Sequence, residues 1–294
     1  MKIFITGANG FIGKELIRQS RQAGIHVSGI DLLAGNNPDF VTGDIRDIDL
    51  KEKIPEGIDA IVHLAALSRD ADCKNNVSAC FNVNVMGTLN LINAAHEKKA
   101  KQFIFASTEW VYGGCWEARR YKIEKFHIDP QNLSSEYALS KLVSECNLRQ
   151  RYAYGFCPVT ILRFGIVYGP RLTNWSAVES LFNDCATKNE ITVGSLKTGR
   201  HFIHVSDIAS AIIKSIGIKG FEIINIQADK LTTLGDIIKT SKKLLGRKFL
   251  ITESSPDQPS IRKISNKKAK DLLGWVPLID IEDGLKSVKE FLKL

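Results

Sequence analysis

The strongest constraint on this chain is how it opens. An apolar run, Lys2–Thr6, passes directly into Gly7-Ala8-Asn9-Gly10-Phe11-Ile12-Gly13 and then into a helical pattern over residues 11–23. A strand, a glycine turn and a helix start in that order suit a dinucleotide pyrophosphate. Glycines allow the turn and a close backbone approach, and the start of the helix offers unpaired N–H groups and a partial positive charge. The spacing is GxxGxxG, which a plain βα turn satisfies as well. Asp31 sharpens the reading: it follows Gly13 by 18 residues and comes directly after the second apolar run, residues 26–30. A carboxylate there can hold both ribose hydroxyls of NAD and repels the 2′-phosphate of NADP; a loop or capping carboxylate is the competing reading.

The alternation continues along the chain. Phe40–Thr42 and residues 60–64, 103–107 and 159–163 read as strands, while residues 75–98 and 135–154 read as helices. Strands alternating with long helices predict parallel βαβ units, and hence an α/β doubly wound parallel sheet with helices on both faces. The last third changes character, with short strands at 192–193 and 222–225, helices at 206–216, 233–245 and Ile281–Leu292, and a polar stretch at 252–260. It reads as a smaller lobe that covers the substrate.

A chain of 294 residues can bury a sizeable core without disulfide or metal staples. Its net charge of +8 comes mainly from scattered lysines, densest from Lys239 to Lys270. No aromatic residues interleave there as a base-stacking platform requires, so solvated helix faces are expected and nucleic acid is not. Cys73, Cys80, Cys115, Cys146, Cys157 and Cys185 form no CxxC pair and have no histidine cluster nearby. Reduced, mostly buried thiols and no metal site are expected. No apolar run approaches the ~18–20 residues of a membrane helix, and the opening lacks a signal-peptide cleavage site. A cytoplasmic enzyme with no membrane contact is the expectation.

Tyr137-Ala138-Leu139-Ser140-Lys141 lies in the helical run after the fifth strand. Its Tyr and Lys are one turn apart on one face. A phenol titrates near ~10 and is a poor base at neutral pH. A neighbouring ammonium and an oxidised nicotinamide would both favour the phenolate, which can then exchange a proton with a substrate hydroxyl. A surface Tyr–Lys pair has the same spacing. Thr108 ends the fifth strand, and in an open parallel sheet the ligand crevice lies beyond such strand ends. Its hydroxyl could bond a reacting oxygen or simply satisfy backbone.

Together these blocks resemble the extended short-chain dehydrogenase/reductase family, in its NAD-dependent nucleotide-sugar epimerase and dehydratase branch. The resemblance rests on residues 6–13, Asp44-Ile45, His63-Leu64-Ala65-Ala66, residues 84–90, Ser107-Thr108, Val111-Tyr112-Gly113 and residues 137–141 with Glu145. It continues through Arg163, Val167-Tyr168-Gly169-Pro170, Arg200 to Val205 with Asp207, and Leu273-Gly274-Trp275-Val276-Pro277. It implies a Rossmann-type NAD-binding domain at residues 1–165, with 200–218 returning to it. Residues 166–199 and 219–294 would form the substrate-binding lobe. Gly7, Gly10 and Gly13, with Phe11 and Ile12, would hold the pyrophosphate. Asp31 would hold the adenosine ribose, Asp44 and Ile45 would approach the adenine, and Leu64, Ala65 and Ala66 would line the cofactor. Tyr137 would be the acid/base, Lys141 would tune it and bind the nicotinamide ribose, and Thr108 would relay a proton or position the sugar. Arg200 would meet the diphosphate of a nucleotide-diphosphate sugar; an ion pair between the lobes is its other reading. His63 and His204 read as structural. A homodimer through the helical run at 75–98 and the Tyr137 helix is implied too.

The members divide on smaller signals. The dehydratases carry Thr-Asp-Glu at this strand end, whereas the run here is Thr108-Glu109-Trp110, and a tryptophan cannot replace a carboxylate. His201 stands where an aspartate is usual, and the arginine expected near Ser255-Pro256-Asp257 is missing, which leaves Arg200 and Arg262 for the diphosphate. Arg69-Asp70-Ala71-Asp72 is a charged stretch that could read the sugar or be a solvated loop. The leading expectation is a 4-epimerase that oxidises sugar C4 transiently. A 4-ketosugar reductase or dehydrogenase is the alternative, with a 4,6-dehydratase and a catalytically idle nucleotide-sensing relative behind it.

Overall fold

The computed structural model describes residues 1–35, 39–114 and 120–294. Cys115 lies outside them, and Cys73, Cys80, Cys146, Cys157 and Cys185 are free thiols. The first of two compact units takes in Met1–Cys115, Glu124–Phe164 and Ala209–Ile224. Its sheet has seven strands: β1 (Lys2–Thr6), β2 (His26–Asp31), β3 (Phe40–Thr42), β4 (Ala60–His63), β5 (Phe103–Thr108), β6 (Val159–Phe164) and β11 (Phe221–Ile226). They lie in the order β11-β6-β5-β4-β1-β2-β3, and β1 to β6 run parallel. Strands β4 and β6 are buried along their whole length. That is what a parallel sheet covered on both faces demands, and it explains why they are mostly apolar rather than alternating. The α/β doubly wound architecture expected from the sequence is therefore present. Strand order reverses between β1 and β4, so the ligand crevice of such a sheet lies beyond the carboxyl ends of these two strands.

Helices α1 (Phe11–Gln22), α4 (Thr88–Glu97) and α5 (Glu136–Ala153) connect these strands. One core gathers Phe4, Ile30, Ile61, Leu91, Ile92, Phe103, Phe105 and Ile161. The single helix expected over residues 75–98 is broken. Helix α2 (Asp70–Asn75) stops at Asn76, which caps α3 (Val77–Phe81) by accepting the Ala79 N–H at 2.9 Å. A π-helical stretch, Asn82–Gly87, leads into α4. It is held by hydroxyls: Thr88 Oγ1 and Ser144 Oγ both donate to the Asn84 carbonyl, at 2.6 and 2.9 Å. Side-chain hydroxyls that capture a helix carbonyl in this way divert it from the regular ladder.

The second unit comprises Trp116–Ile123, Gly165–Ile208 and Asn225–Leu294. Its strands pair in twos: β7 (Val167–Tyr168) with β10 (Ile203–His204), β8 (Glu190–Val193) with β13 (Leu250–Glu253), and β9 (Gly199–Arg200) with β12 (Thr232–Thr233). Helices α6 (Ala177–Thr187), α8 (Leu234–Leu245), α9 (Lys267–Leu273) and α10 (Ile281–Leu292) accompany them. Tyr168, Phe182, Ile191, Ile237 and Leu285 build a separate core. Helix α7 (Val205–Lys214) begins in the second unit and ends in the first.

Two expected boundaries shift: residues 200–208, expected with the first unit, fall in the second. Residues 219–294 were assigned to the lobe, yet Phe221–Ile226 is the edge strand beside β6, with Ile224 and Ile226 fully buried. This six-residue strand, which follows Gly220, fills the open edge of β6, which would otherwise expose unpaired backbone. The polar stretch 252–260 likewise starts inside β13.

Candidate active site

The glycine turn is built as close backbone packing. Gly7 has φ +73°, a region that favours glycine, and a Cβ there would sit 2.8 Å from the Ala65 N. A Cβ on Gly13 would sit 2.3 Å from Gly7 O and 2.6 Å from Ala8 O. Gly10 caps α1 with no side-chain bond, and no acidic residue lies in the first turn. This leaves a helix start suited to an anion. Asp31 ends β2 with its carboxylate accepting the Asn9 N–H at 2.9 Å and the Leu33 N–H at 3.0 Å. A fixed carboxylate beside a side-chain-free cradle is what a dinucleotide's ribose and pyrophosphate need, so the residues fit NAD.

The ends of β1 and β4 are tied together across the strand-order reversal. Thr6 Oγ1 accepts the Ala65 N–H at 3.2 Å and pairs with His63 Nδ1 at 2.7 Å, while His63 Nε2 pairs with Thr88 Oγ1 at 2.9 Å. Burial, and then the Lys141 charge, push His63 down to about 3, so it is a neutral strut. Ala65 and Ala66 are half-buried at this junction. Asp44 is engaged by Arg46, at 2.6 Å between Nη2 and Oδ2, and that bond holds its carboxyl below the usual range. Ile45 is buried in the first core, so its side chain is spent on packing.

Tyr137, Lys141 and Thr108 come together in the first unit. Ser135 caps α5, its hydroxyl accepting the Ala138 N–H at 3.3 Å, which sets the turn carrying Tyr137. Lys141 Nζ lies 6.0 Å from the centre of the Tyr137 ring and donates to Ala106 O at 2.8 Å. Thr108 hydrogen-bonds Tyr137 through its side chain. Burial is the largest influence on both titrating groups: it raises the Tyr137 phenol against the opposing Thr108 bond, and lowers the Lys141 ammonium to about 8. The phenol is thus a proton donor at rest, and a nearby positive charge is needed to draw its proton off. Behind them Glu145 accepts from Ser107 Oγ at 2.5 Å and from Arg163 at 3.0 and 2.6 Å, fixing the end of β5.

Two features of this region escaped the sequence reading. Asn84 acts as a clamp: its Oδ1 accepts the Leu67 N–H at 2.8 Å, and its Nδ2 donates to Leu67 O and Ser140 Oγ, both at 3.0 Å. The loop after β4 is thereby fastened to the Tyr137 helix. The Asn-Val sequence at 84–85 was visible, but the π-helical turn that aims its amide was not. Cys73 and Cys80 lie near Tyr137 and Lys141. Arg200 lies in the second unit, where its guanidinium donates to Ser260 O at 2.5 Å and Ser260 Oγ at 3.0 Å. Glu109 is buried directly after Thr108, and Arg69 is exposed, 3.8 Å from Asp72. Among the described residues no group of three or more His, Cys, Asp or Glu side chains could hold a metal, and no helix is long and apolar enough to cross a membrane.

A model of the NAD dependent epimerase/dehydratase family matches residues 3–226. A Methanocaldococcus jannaschii protein named as a candidate UDP-glucose 4-epimerase is 32% identical, over 99% of this chain and 98% of its own. Among solved structures, a UDP-glucuronic acid 4-epimerase from Bacillus cereus, in complex with UDP-glucuronic acid and NAD, has 28% identity and a TM-score of 0.85, covering 100% of this chain and 99% of that one. A UDP-glucose 4-epimerase from Thermotoga maritima with UDP-glucose has 25% identity and a TM-score of 0.86 over the same shares.

Proposed function

The chain belongs to the NAD dependent epimerase/dehydratase family, and on that premise we propose that it is a nucleotide-sugar 4-epimerase acting through Tyr137, Lys141 and Thr108. The observation that carries the reading is the meeting of these three side chains at the end of β5, in the unit that also holds the glycine cradle and Asp31. The relatives named for 4-epimerisation of UDP-glucose and UDP-glucuronic acid support this substrate class. When bound, NAD supplies a hydride acceptor and then a hydride donor for sugar C4. Gly7, Gly10, Gly13, Phe11 and Ile12 would hold its pyrophosphate and Asp31 its ribose, while Asp44 and Ile45, whose side chains are engaged elsewhere, would approach the adenine with their backbone and Leu64, Ala65 and Ala66 would flank the cofactor.

Tyr137 takes the proton of the C4 hydroxyl as the alcohol becomes a ketone, and returns it when the ketone is reduced from the other face. Lys141 holds the phenolate by its charge and would bind the nicotinamide ribose. Thr108 holds the same sugar oxygen in line with the phenol. Arg200 meets the substrate diphosphate, for which a charged, multiply donating group is suited. A ketosugar reductase would use the same residues, but Asp31 disfavours the phosphorylated cofactor that biosynthetic reductases commonly take. A 4,6-dehydratase needs a second acid where Trp110 stands. A second copy of the chain would seat on α4, α5 and the exposed Val77 and Met86.

Denaturing the purified protein and separating the released nucleotides tests the cofactor assignment: near-stoichiometric NAD(H) is expected, and NADP(H) contradicts the role of Asp31. Tyr137→Phe should lower turnover about a thousandfold while leaving NAD bound. Unchanged turnover in that variant overturns the assignment.

A further inference from the structure

Two short helices, α2 and α3, separate the loop after β4 from the π-helical stretch. Over residues 68–79 Cys73 is the one buried residue. So little burial is the mark of a segment that opens locally. Cys80, on α3, is fully buried too. The two thiols are within hydrogen-bonding reach of each other. They also share a polar hub: Cys73 Sγ donates to Leu67 O at 3.5 Å, and Asn84 Nδ2 donates to Cys80 Sγ at 3.5 Å and to the same Leu67 O at 3.0 Å. Through Ser140, at 3.0 Å, that hub continues into the turn between Tyr137 and Lys141.

We propose that Cys73 and Cys80 form a reversible disulfide on two-electron oxidation, and that the bond slows the enzyme by displacing the Leu67–Asn84 hub that steadies the Tyr137–Lys141 turn. The effect on turnover rests on the epimerase reading; the disulfide and the displacement do not. With hydrogen peroxide as oxidant, one thiolate attacks a peroxide oxygen, the O–O bond breaks, and the leaving hydroxide takes up the proton the thiol gave up, leaving a sulfenic acid and water. The second thiol attacks that sulfur, the S–S bond forms, and a second water leaves. The cysteines together give up two electrons and two protons, and the peroxide is reduced to water. Sulfurs in hydrogen-bond contact must close to about 2 Å, which draws α2 and α3 together and drags on Leu67 and Asn84. Burial, and then the Cys80 thiol, push Cys73 up to about 12, so thiolate is scarce until the segment opens. The reaction is therefore slow in the closed fold and quickens in mild denaturant.

The full chain is treated with hydrogen peroxide, blocked with a thiol alkylator, digested and analysed by mass spectrometry, with hydrogen exchange read over α5. The expected result is a Cys73–Cys80 linked peptide lighter by two hydrogens and faster exchange near residues 136–141. Turnover should fall on the order of tenfold and recover with dithiothreitol. Cys80→Ser and Cys73→Ser should each give no linked peptide, and the turnover each retains should resist the loss. Absence of the linked peptide, or equal inhibition of both variants, overturns the disulfide. A linked peptide with unchanged exchange over α5 overturns the coupling. If no nucleotide sugar is turned over at all, the epimerase reading fails while peptide and exchange still judge this one.

Discussion

The two units hold their candidate groups in opposite ways. In the first, the cradle is made of missing side chains: a single methyl at Gly13 would fall 2.3 Å from a backbone oxygen. In the second, Arg200 reaches Ser260 through flexible torsions, and a Cβ on Gly194 would meet nothing within 4 Å. Backbone packed on backbone has no way to give, whereas a long side chain bonded at the surface can be replaced at little structural cost. The glycine cradle should therefore fail abruptly under substitution, and the Arg200 site gradually.

The largest expected effect is at Gly13. Gly13→Ala should destabilise the protein by about 3 kcal/mol and abolish nucleotide binding. A variant that melts normally and still releases NAD(H) would show that the cradle tolerates a side chain. His63 comes next. Its folded value of about 3 lies below the ordinary 6.5, so an unfolded chain accepts a proton that the folded one refuses. The stability it contributes is whole above pH 6.5 and drains away as pH falls toward 3, at about 1.4 kcal/mol per unit. Urea titrations at neutral and mildly acidic pH should show that slope in the parent and a flatter one in His63→Gln. Equal slopes would mean that the strut is not what makes the fold sensitive to acid. Arg200→Ala should raise KM roughly tenfold or more, with kcat and melting temperature little changed. A loss of stability there would turn the arginine into a structural part. Smallest of all, Gly194→Ala should stay within about 0.5 kcal/mol of the parent.

This contrast also governs what was legible in the sequence. The strand–glycine–helix opening, Asp31 and the sheet alternation are read from local order, because each depends on neighbours along the chain. Strand Phe40–Thr42 and helix Ile281–Leu292 match the reading residue for residue. The meeting of Tyr137 with Thr108 came from the strand-end rule together with the family resemblance. What stayed hidden depends on tertiary contact. The π-helical turn follows from hydroxyls on α4 and α5, which no periodicity over 75–98 reveals. The edge strand Phe221–Ile226 looked like part of the lobe because pairing with β6 is non-local. Helix α6 had a readable start, the capping box of Ser176 and Glu179, that the sequence reading passed over.

The central claim is a hydride that leaves sugar C4 and returns to it within one binding event. The measurement that tests it most directly uses UDP-glucose and UDP-glucuronic acid carrying deuterium at C4, incubated with the purified protein and no added nucleotide. The account predicts that one of them equilibrates with its C4 epimer and that the epimer keeps its deuterium. Conversion that requires added NADH, or an epimer that has lost the label, would contradict it.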